Sequence, residues 1–224
     1  MPLQRVLEPE IMDTVEEAVD YDSMDHSAVN EQFVQDLIAF ANENNTELTQ
    51  ALDLGTGTAL IPIELCKSHS SVTVVAVDMA GEMLKLAERN VQAQSLTDRI
   101  TLQQLDAKDL PFSEGQFACL ISNSIIHHIP EPEACVAELA RVVAAGGIVF
   151  VRDLMRPEND EQVKQIVQTY AGSENDHSKQ MFDDSLRAAL SLDEIRDLVS
   201  KHGFDRNNVT ASSDRHWTWA AIRA

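Results

Sequence analysis

An aspartate and two glycines close an apolar run in the sequence ALDLGTGTAL, at Asp53, Gly55 and Gly57. A glycine-rich turn between a strand and a helix lets backbone amides approach a ligand closely. The dinucleotide fingerprint requires a third glycine at position 60, where this chain has Leu60, and this disfavours a nicotinamide dinucleotide. A phosphate-binding P-loop is excluded because no GKS or GKT follows. The turn therefore suits a ligand without a pyrophosphate.

Two further aspartates follow apolar runs downstream of this turn. Asp78 ends the run VTVVAVD, and Asp106 lies in LQQLDAKDLPF. A single aspartate after a strand is commonly a helix cap or a turn residue. Three aspartates in register with three successive strands favour a common ligand-binding site instead.

Alternating β-rich and helical segments predict the scaffold that positions these residues. The predicted strands are 50–54, 72–77, 99–105, 117–122 and 147–152, and the predicted helices between them are 59–68, 80–94 and 132–144. This repetition predicts a parallel sheet with right-handed crossovers and ligands beyond the carboxyl ends of its strands. The end of the chain predicts a closing hairpin with Trp217 and Trp219 in the core.

We therefore predict an α/β fold over residues 1–224 as a single domain. Its seven-stranded sheet is mostly parallel with an antiparallel C-terminal hairpin strand, and helices cover both faces. Two segments stand outside the repeat. Residues 10–45 predict an N-terminal lid or entry helix, and residues 154–190 predict a cap insertion, because long insertions at the ligand edge of a sheet often shape substrate pockets.

Residues 50–153 resemble the class I S-adenosylmethionine-dependent methyltransferases, in the group that includes the ubiquinone and menaquinone methyltransferases. The first motif of that family, D-x-G-x-G-x-G, is matched by DLGTGTA, with Ala59 in place of the third glycine. The resemblance implies a Rossmann-like fold and S-adenosylmethionine as the cofactor. It also implies an activity, the transfer of a methyl group to a small-molecule acceptor by in-line displacement.

Each part of S-adenosylmethionine then has a candidate partner in the chain. The ammonium needs a carboxylate, the carboxylate needs amides, and the ribose hydroxyls and the adenine amino group need acceptors. The candidates are Asp53 for the ammonium, the amides of Gly55, Thr56 and Gly57 for the carboxylate, Asp78 for the ribose, and Met79, Asp106 and Ala107 for the adenine. Tyr21 is the aromatic residue that we expect to close over the cofactor, with helix packing as the alternative.

The fourth predicted strand runs into the sequence ISNSIIHHIPEPE. Ser122 and Asn123 match the polar pair that the family carries beside the transferred methyl group. His127 and His128 are candidates for acid–base catalysis, and at most one of them is expected to face the ligand, since adjacent side chains usually point apart. We expect no metal site, because neighbouring histidines rarely chelate together and no third ligand has a suitable spacing.

Two arginines in VRDLMRPEN follow the fifth predicted strand. Arg152 and Arg156 are expected at the edge of the pocket, where a cation can pair with an anionic substrate. The alternative is that they pair with nearby carboxylates.

The charge balance limits the possible partners. The formal net charge of −20 argues against nucleic acid, and no apolar run approaches the length of a membrane span. Cys66, Cys119 and Cys135 lack C-x-x-C spacing, which indicates a reducing, cytoplasmic location. A non-catalytic cofactor-binding protein and, against Leu60, an NAD-dependent oxidoreductase are the alternative functions. The sequence does not indicate an oligomeric state.

Overall fold

The computed structural model describes residues 3–10, 13–23 and 25–224. Within them one sheet is formed by β1 (Gln50–Leu54), β2 (Thr73–Asp78), β3 (Ile100–Gln104), β4 (Phe117–Asn123), β5 (Val143–Leu154), β6 (Val209–Ala211) and β7 (His216–Ile222). The helices are α1 (Val15–Ser23), α2 (Ser27–Glu43), α3 (Leu60–Ser68), α4 (Gly81–Ala93), α5 (Pro132–Val142), α6 (Asp160–Ala171), α7 (Asp176–Ala188) and α8 (Leu192–Lys201). Short 3₁₀ helices cover Ile126–His128 and Arg206–Asn208.

The strand order of the sheet is β3-β2-β1-β4-β5-β7-β6. The first five strands are parallel, and β7 runs antiparallel to both β5 and β6. The predicted α/β fold with a mostly parallel seven-stranded sheet is therefore confirmed. The order reverses between β1 and β4, so the crevice beyond their carboxyl ends is where a ligand of such a sheet binds.

Strand β5 is longer than the predicted strand 147–152. It begins at Val143, directly after α5, and contains a pairing irregularity against β4 between Phe117 and Cys119. Gly146 lies within this stretch at a φ of +76°, and the predicted helix 132–144 ends two residues earlier than predicted, at Val142. The register beyond the irregularity carries Arg152 and Asp153 to the ligand edge of the sheet.

Apolar clusters lie on both faces of the sheet. One face packs α5 and α8 against the sheet together with Trp217 and Trp219, which are both fully buried as predicted. The other face packs α2, α3 and α4. Among the described residues no helix has an apolar stretch of the length that a bilayer crossing requires.

The two segments outside the repeat differ in their packing. Helix α2 is a core element, because Phe33 and Leu37 are buried and the Phe33 ring meets the Phe150 ring edge-on at 5.2 Å. Of the described residues that precede α2, residues 13–23 pack over α4. Residues 154–190 contain α6 and α7, which share a small apolar cluster of their own.

Candidate active site

A cleft opens at the carboxyl ends of β1, β2 and β4. Its wall contains, of the residues that the sequence predicted, Tyr21, Gly55, Gly57, Asp78, Met79, Asp106, Ala107, Asn123 and His128. The structure therefore brings together residues that are up to about a hundred positions apart in the chain. This is the site that the strand order predicts, since each contributing strand ends at the same edge of the sheet.

The glycine turn between β1 and α3 needs its glycines. Gly55 and Gly57 have φ values of +68° and +55°, a region that residues with a Cβ atom rarely adopt. A Cβ atom at Gly55 would lie only 1.9 Å from Cγ2 of Ile125, which lines the cleft. Ala59, in the position of the family's third glycine, also has a positive φ of +63° and is buried at the start of α3. The alanine therefore accepts some backbone strain, about 1 kcal/mol, while its methyl group lies in the core.

The amides of the turn have partners within the protein. The amides of Gly55 and Thr56 both donate to the Val77 carbonyl at 2.9 Å, and the Gly57 amide donates to Oδ2 of Asp78 at 2.7 Å. This differs from the expectation that these three amides face a bound carboxylate. Their hydrogen bonds instead brace the turn against the end of β2.

Asp78 is the residue that joins the turn to the cleft. Its Oδ1 accepts from the Ala80 amide at 2.9 Å, and its Oδ2 accepts from Gly57. A carboxylate oxygen has two lone pairs, so each oxygen keeps one for a ligand hydroxyl. Burial raises the pKa of Asp78, although the backbone hydrogen bonds oppose this shift.

Three of the predicted cofactor residues lie behind the turn. The cleft wall formed by the described residues does not include Asp53, Thr56 or Ser122, which are all buried. Ser122 donates its hydroxyl to the Leu54 carbonyl at 2.8 Å and so ties β4 to β1. Burial raises the pKa of Asp53 to about 7, and the neighbouring Asp78 charge adds to this shift.

Asp106 and Lys108 line the cleft after the end of β3. The Lys108 amide donates to Oδ1 of Asp106 at 2.9 Å, and the Lys108 ammonium lies 3.0 Å from the same oxygen. Burial favours a higher pKa for Asp106, but the hydrogen bonds from Lys108 outweigh it and lower the pKa. Lys108 also pairs with Glu10, which arrives from the N-terminal segment. Met79 is 39% exposed and presents an apolar surface to the cleft.

The two histidines have different environments. His127 is buried, and its Nδ1 lies 2.5 Å from Oδ1 of Asp153, a carboxylate that is 1% exposed. Burial works against a charge on His127, but Asp153 outweighs it and raises the pKa. His128 lines the cleft, and burial, together with its neighbour His127, lowers its pKa to about 4. His128 is therefore neutral near pH 7, while His127 is held by a buried ion-pairing partner.

An N-terminal strap, residues 3–10, packs against the 3₁₀ helix that carries the histidines, and its residue Glu10 lines the cleft. Arg5 is its anchor, since the guanidinium donates to the carbonyls of Ala188, Ile129, Pro130 and His127 at 2.6, 2.8, 3.0 and 3.1 Å. The strap places Glu8 between the histidines, with Oε1 at 3.1 Å from Nδ1 of His128 and 3.6 Å from Nε2 of His127. Burial raises the pKa of Glu8. The strap carries no periodicity or motif by which the sequence could predict it.

Two predicted substrate residues do not reach the cleft wall. Arg152 pairs with Asp36 at 2.7 Å and donates to the Thr218 hydroxyl at 3.0 Å. Arg156 pairs with Glu194 at 2.7 Å and donates to the Ala189 carbonyl at 2.9 Å. Both therefore have protein partners, which is the alternative that the sequence analysis left open.

Comparison with known proteins identifies the fold family. A family model described as a methyltransferase domain matches residues 52–151. Residues 52–151 therefore match a methyltransferase domain, which agrees with the predicted class I S-adenosylmethionine-dependent family. The chain is 33% identical to demethylmenaquinone methyltransferase of Porphyromonas gingivalis over 107 residues, an alignment that covers 47% of this chain and 44% of that protein. It is 35% identical over 103 residues to phosphatidylethanolamine N-methyltransferase of Cereibacter sphaeroides, covering 46% of this chain and 49% of that protein.

The chain spans less than half the length of these two curated relatives. A solved S-adenosylmethionine-dependent methyltransferase from Aquifex aeolicus has the same fold over most of the molecule, with a TM-score of 0.70, 16% identity and coverage of 94% of this chain and 99% of that one. The predicted family and fold are thus confirmed, and S-adenosylmethionine is the cofactor of the family.

The residues that line the cleft fit that cofactor by their own chemistry. Asp78 offers lone pairs where two ribose hydroxyls need acceptors, and Asp106 offers one to an adenine amino group. Met79, Leu105 and Ala107 supply the apolar surface that a base requires. Tyr21 lies over the turn, with Cε1 at 3.6 Å from where a Gly57 Cβ atom would be.

Proposed function

We propose that the chain transfers a methyl group from S-adenosylmethionine to a small-molecule acceptor. The observation that carries the proposal is one continuous cleft, with the glycine turn and Asp78 at one end and the neutral imidazole of His128 at the other. A site that only stored the cofactor would need the first end alone.

The cofactor end binds by complementary hydrogen bonds. Asp78 accepts hydrogen bonds from the ribose hydroxyls, and Asp106 accepts one from the adenine amino group. Met79 packs on the base. Tyr21 covers the methionine end and excludes water from it. Asp53 acts from behind the turn, where a cofactor ammonium stabilises the ionised form of its carboxyl group.

The acceptor end positions a nucleophile and receives its proton. When bound, S-adenosylmethionine supplies an electrophilic methyl group on a sulfonium. The strap and the wall of Ile125 and Ile129 keep the acceptor aligned in a water-poor space. His128 is uncharged and so has a lone pair that can accept a proton from a hydroxyl or an amine. His127, held by Asp153 outside the cleft wall of described residues, fixes the 3₁₀ helix that carries His128.

A small molecule is the acceptor class that the charge and the shape favour. A formal charge of −20 repels nucleic acid, and the strap adds the carboxylate of Glu10 to the wall of the cleft. The relatives named for demethylmenaquinone and phosphatidylethanolamine methylation act on compounds with large apolar parts, which agrees with the apolar wall. A cytoplasmic location is part of the proposal, because Cys66, Cys119 and Cys135 are buried free thiols.

Two experiments test the proposal in sequence. Calorimetry with S-adenosylmethionine, its demethylated product and NAD is expected to show binding of the first two compounds only. Incubation with methyl-labelled S-adenosylmethionine and a fractionated metabolite extract is then expected to label a small molecule. Cofactor binding without any labelled product, from extracts of varied origin, would favour the non-catalytic alternative. Preferential NAD binding would overturn the assignment.

A further inference from the structure

Three side chains of metal-binding type converge where the strap meets the 3₁₀ helix. Glu8, His127 and His128 each direct one ligand-type atom to a common point, and these atoms all lie within 4.8 Å of one another. All three side chains are largely buried, with 11%, 5% and 20% of their surfaces exposed. The sequence analysis found no third ligand beside the histidine pair, because Glu8 lies far away in the chain.

The two separations from Glu8 match those of neighbouring ligands around one ion, and the two histidine nitrogens lie within 4.8 Å of each other. Oε1 of Glu8 lies 3.1 Å from Nδ1 of His128 and 3.6 Å from Nε2 of His127. Nitrogen and oxygen ligands sit about 2.0–2.2 Å from a transition metal, so two neighbours in a tetrahedral or octahedral shell are about 3.0–3.6 Å apart. The three atoms can therefore move onto one ion with little rearrangement.

Two of the three atoms that face each other have no hydrogen-bond partner among the described residues. In the part of the chain that the structure describes, Oε1 of Glu8 and Nδ1 of His128 are buried without a hydrogen-bond partner. The other oxygen of Glu8 accepts from the Ser185 hydroxyl at 3.1 Å, and this bond holds Oε1 towards the histidines. Because an unsatisfied buried polar atom is costly, two that face each other point to a ligand between them.

Asp153 holds the His127 ring from the side opposite Glu8. It binds Nδ1 of His127 at 2.5 Å and also accepts from the Ile126 amide at 2.5 Å, so the ring is fixed with Nε2 turned towards Glu8. A histidine that binds a metal through one nitrogen commonly donates from the other to a carboxylate. Asp153 is such a carboxylate.

We propose that Glu8, His127 and His128 bind a divalent transition-metal ion. Two imidazole nitrogens and one carboxylate oxygen suit Zn²⁺, Co²⁺ or Mn²⁺, whereas Mg²⁺ and Ca²⁺ prefer shells made of oxygen. The ion would lie at the acceptor end of the cleft, since His128 lines it.

The proposal has a consequence for methyl transfer. An ion on Nδ1 of His128 leaves the ring proton on Nε2, so the ring can no longer accept a proton. Ion binding and the base role of His128 therefore exclude each other. If both proposals hold, Zn²⁺ lowers the rate of transfer to an acceptor that must lose a proton.

Metal titration of the tag-free chain, without cofactor or acceptor, tests the site. We expect Zn²⁺ to bind with one ion per chain in calorimetry, and Co²⁺ to give a visible d–d absorption spectrum. Glu8→Gln keeps the bond to Ser185, and His128→Gln removes one nitrogen ligand. Each is expected to weaken Zn²⁺ binding by more than about 100-fold, beyond the range of outer-shell changes. His177→Gln, at an exposed position, is the control and is expected to bind as the wild type does.

Several results would overturn the metal site. Equal affinity in all variants would indicate adventitious binding to surface histidines. No stoichiometric heat and no cobalt spectrum would indicate that Glu8 and His128 share a proton instead. Far-UV circular dichroism checks that each variant is folded, and either ligand variant alone decides the outcome. A chain that binds the ion but transfers no methyl group would contradict only the proposed function.

Discussion

The two ends of the cleft are built in different ways. The cofactor end consists of strand ends and the turn that follows β1, so Gly55, Asp78 and Asp106 lie close together because the sheet places them there. The acceptor end combines a 3₁₀ helix, the end of β5 and the strap, which come from three separate parts of the chain. A family fold therefore fixes the first end, while the second can change with any of its three contributors.

The contact between the two ends gives the largest predicted effect. Gly55→Ala would place a Cβ atom 1.9 Å from Ile125 at a φ of +68°. We expect a loss of about 3 kcal/mol or more in the free energy of unfolding, because overpacking and backbone strain add. Gly203→Ala, at a φ of +84° with nothing within 4 Å of its Cβ position, is the control and should cost only about 1 kcal/mol. Urea unfolding measures the free energy of unfolding of both variants. Equal losses would show that Gly55 and Ile125 are not in tight contact.

Asp153→Asn is the variant that separates the ends. It replaces the buried carboxylate that pairs with His127 by a neutral amide. We expect a loss of about 2–4 kcal/mol in the free energy of unfolding near neutral pH. Cofactor affinity should change little in the folded variant, because Asp153 is not in the described cleft wall. Urea unfolding tests the expected loss of stability, and calorimetry with S-adenosylmethionine tests the expected cofactor affinity. A large loss of affinity in a fully folded variant would mean that the ends are coupled.

The pH dependence of stability also tests the ion pair between His127 and Asp153. The folded pKa of His127 is raised, so its contribution is fully present below the unfolded pKa of about 6.5 and is lost as the pH rises through the folded value. The folded pKa of Asp153 is lowered, so its contribution is lost as the pH falls through that value. Unfolding between about pH 6 and pH 9 should show a decline for the wild type and a flatter curve for Asp153→Asn. Parallel curves would contradict the ion pair.

Asp53 gives the smallest predicted effect, and it concerns the cofactor end alone. Its pKa of about 7 means that it is partly protonated in the free protein, while a cofactor ammonium favours the ionised form. Affinity for S-adenosylmethionine should therefore rise about fivefold from about pH 6 to about pH 7, and Asp53→Asn should remove this dependence. Calorimetry at several pH values measures it. An unchanged slope in the variant would assign the proton to another group.

The sequence predicted the cofactor end better than the acceptor end for a physical reason. Asp78 and Asp106 follow strands, and the rule that ligands bind beyond strand ends locates them without tertiary information. The same rule applied to the fifth strand points to Asp153, which directly follows Arg152. Glu8 gave no such signal, because only the tertiary anchoring of the strap by Arg5 brings it to the histidines.

Other predictions differ from the structure because the residues concerned bind partners within the protein. The amides of the glycine turn are donors to the end of β2, which a strand and helix pattern cannot reveal. Arg152 and Arg156 lie near a strand end, where substrate-binding residues are expected. In this acidic chain they form ion pairs with Asp36 and Glu194 instead. Helix α2 resembles a lid in sequence, yet Phe33 and Leu37 pack in the apolar cluster on one face of the sheet.

Calorimetry of Asp78→Asn with S-adenosylmethionine tests the central claim most directly, with Asp98→Asn, an exposed position, as the control. The account predicts a loss of about 10–100-fold in affinity for Asp78→Asn, since hydrogen bonds to a charged group contribute about 1.5–3 kcal/mol, and wild-type affinity for Asp98→Asn. Equal affinity of the two folded variants, or no binding by the wild type at millimolar cofactor, would contradict it.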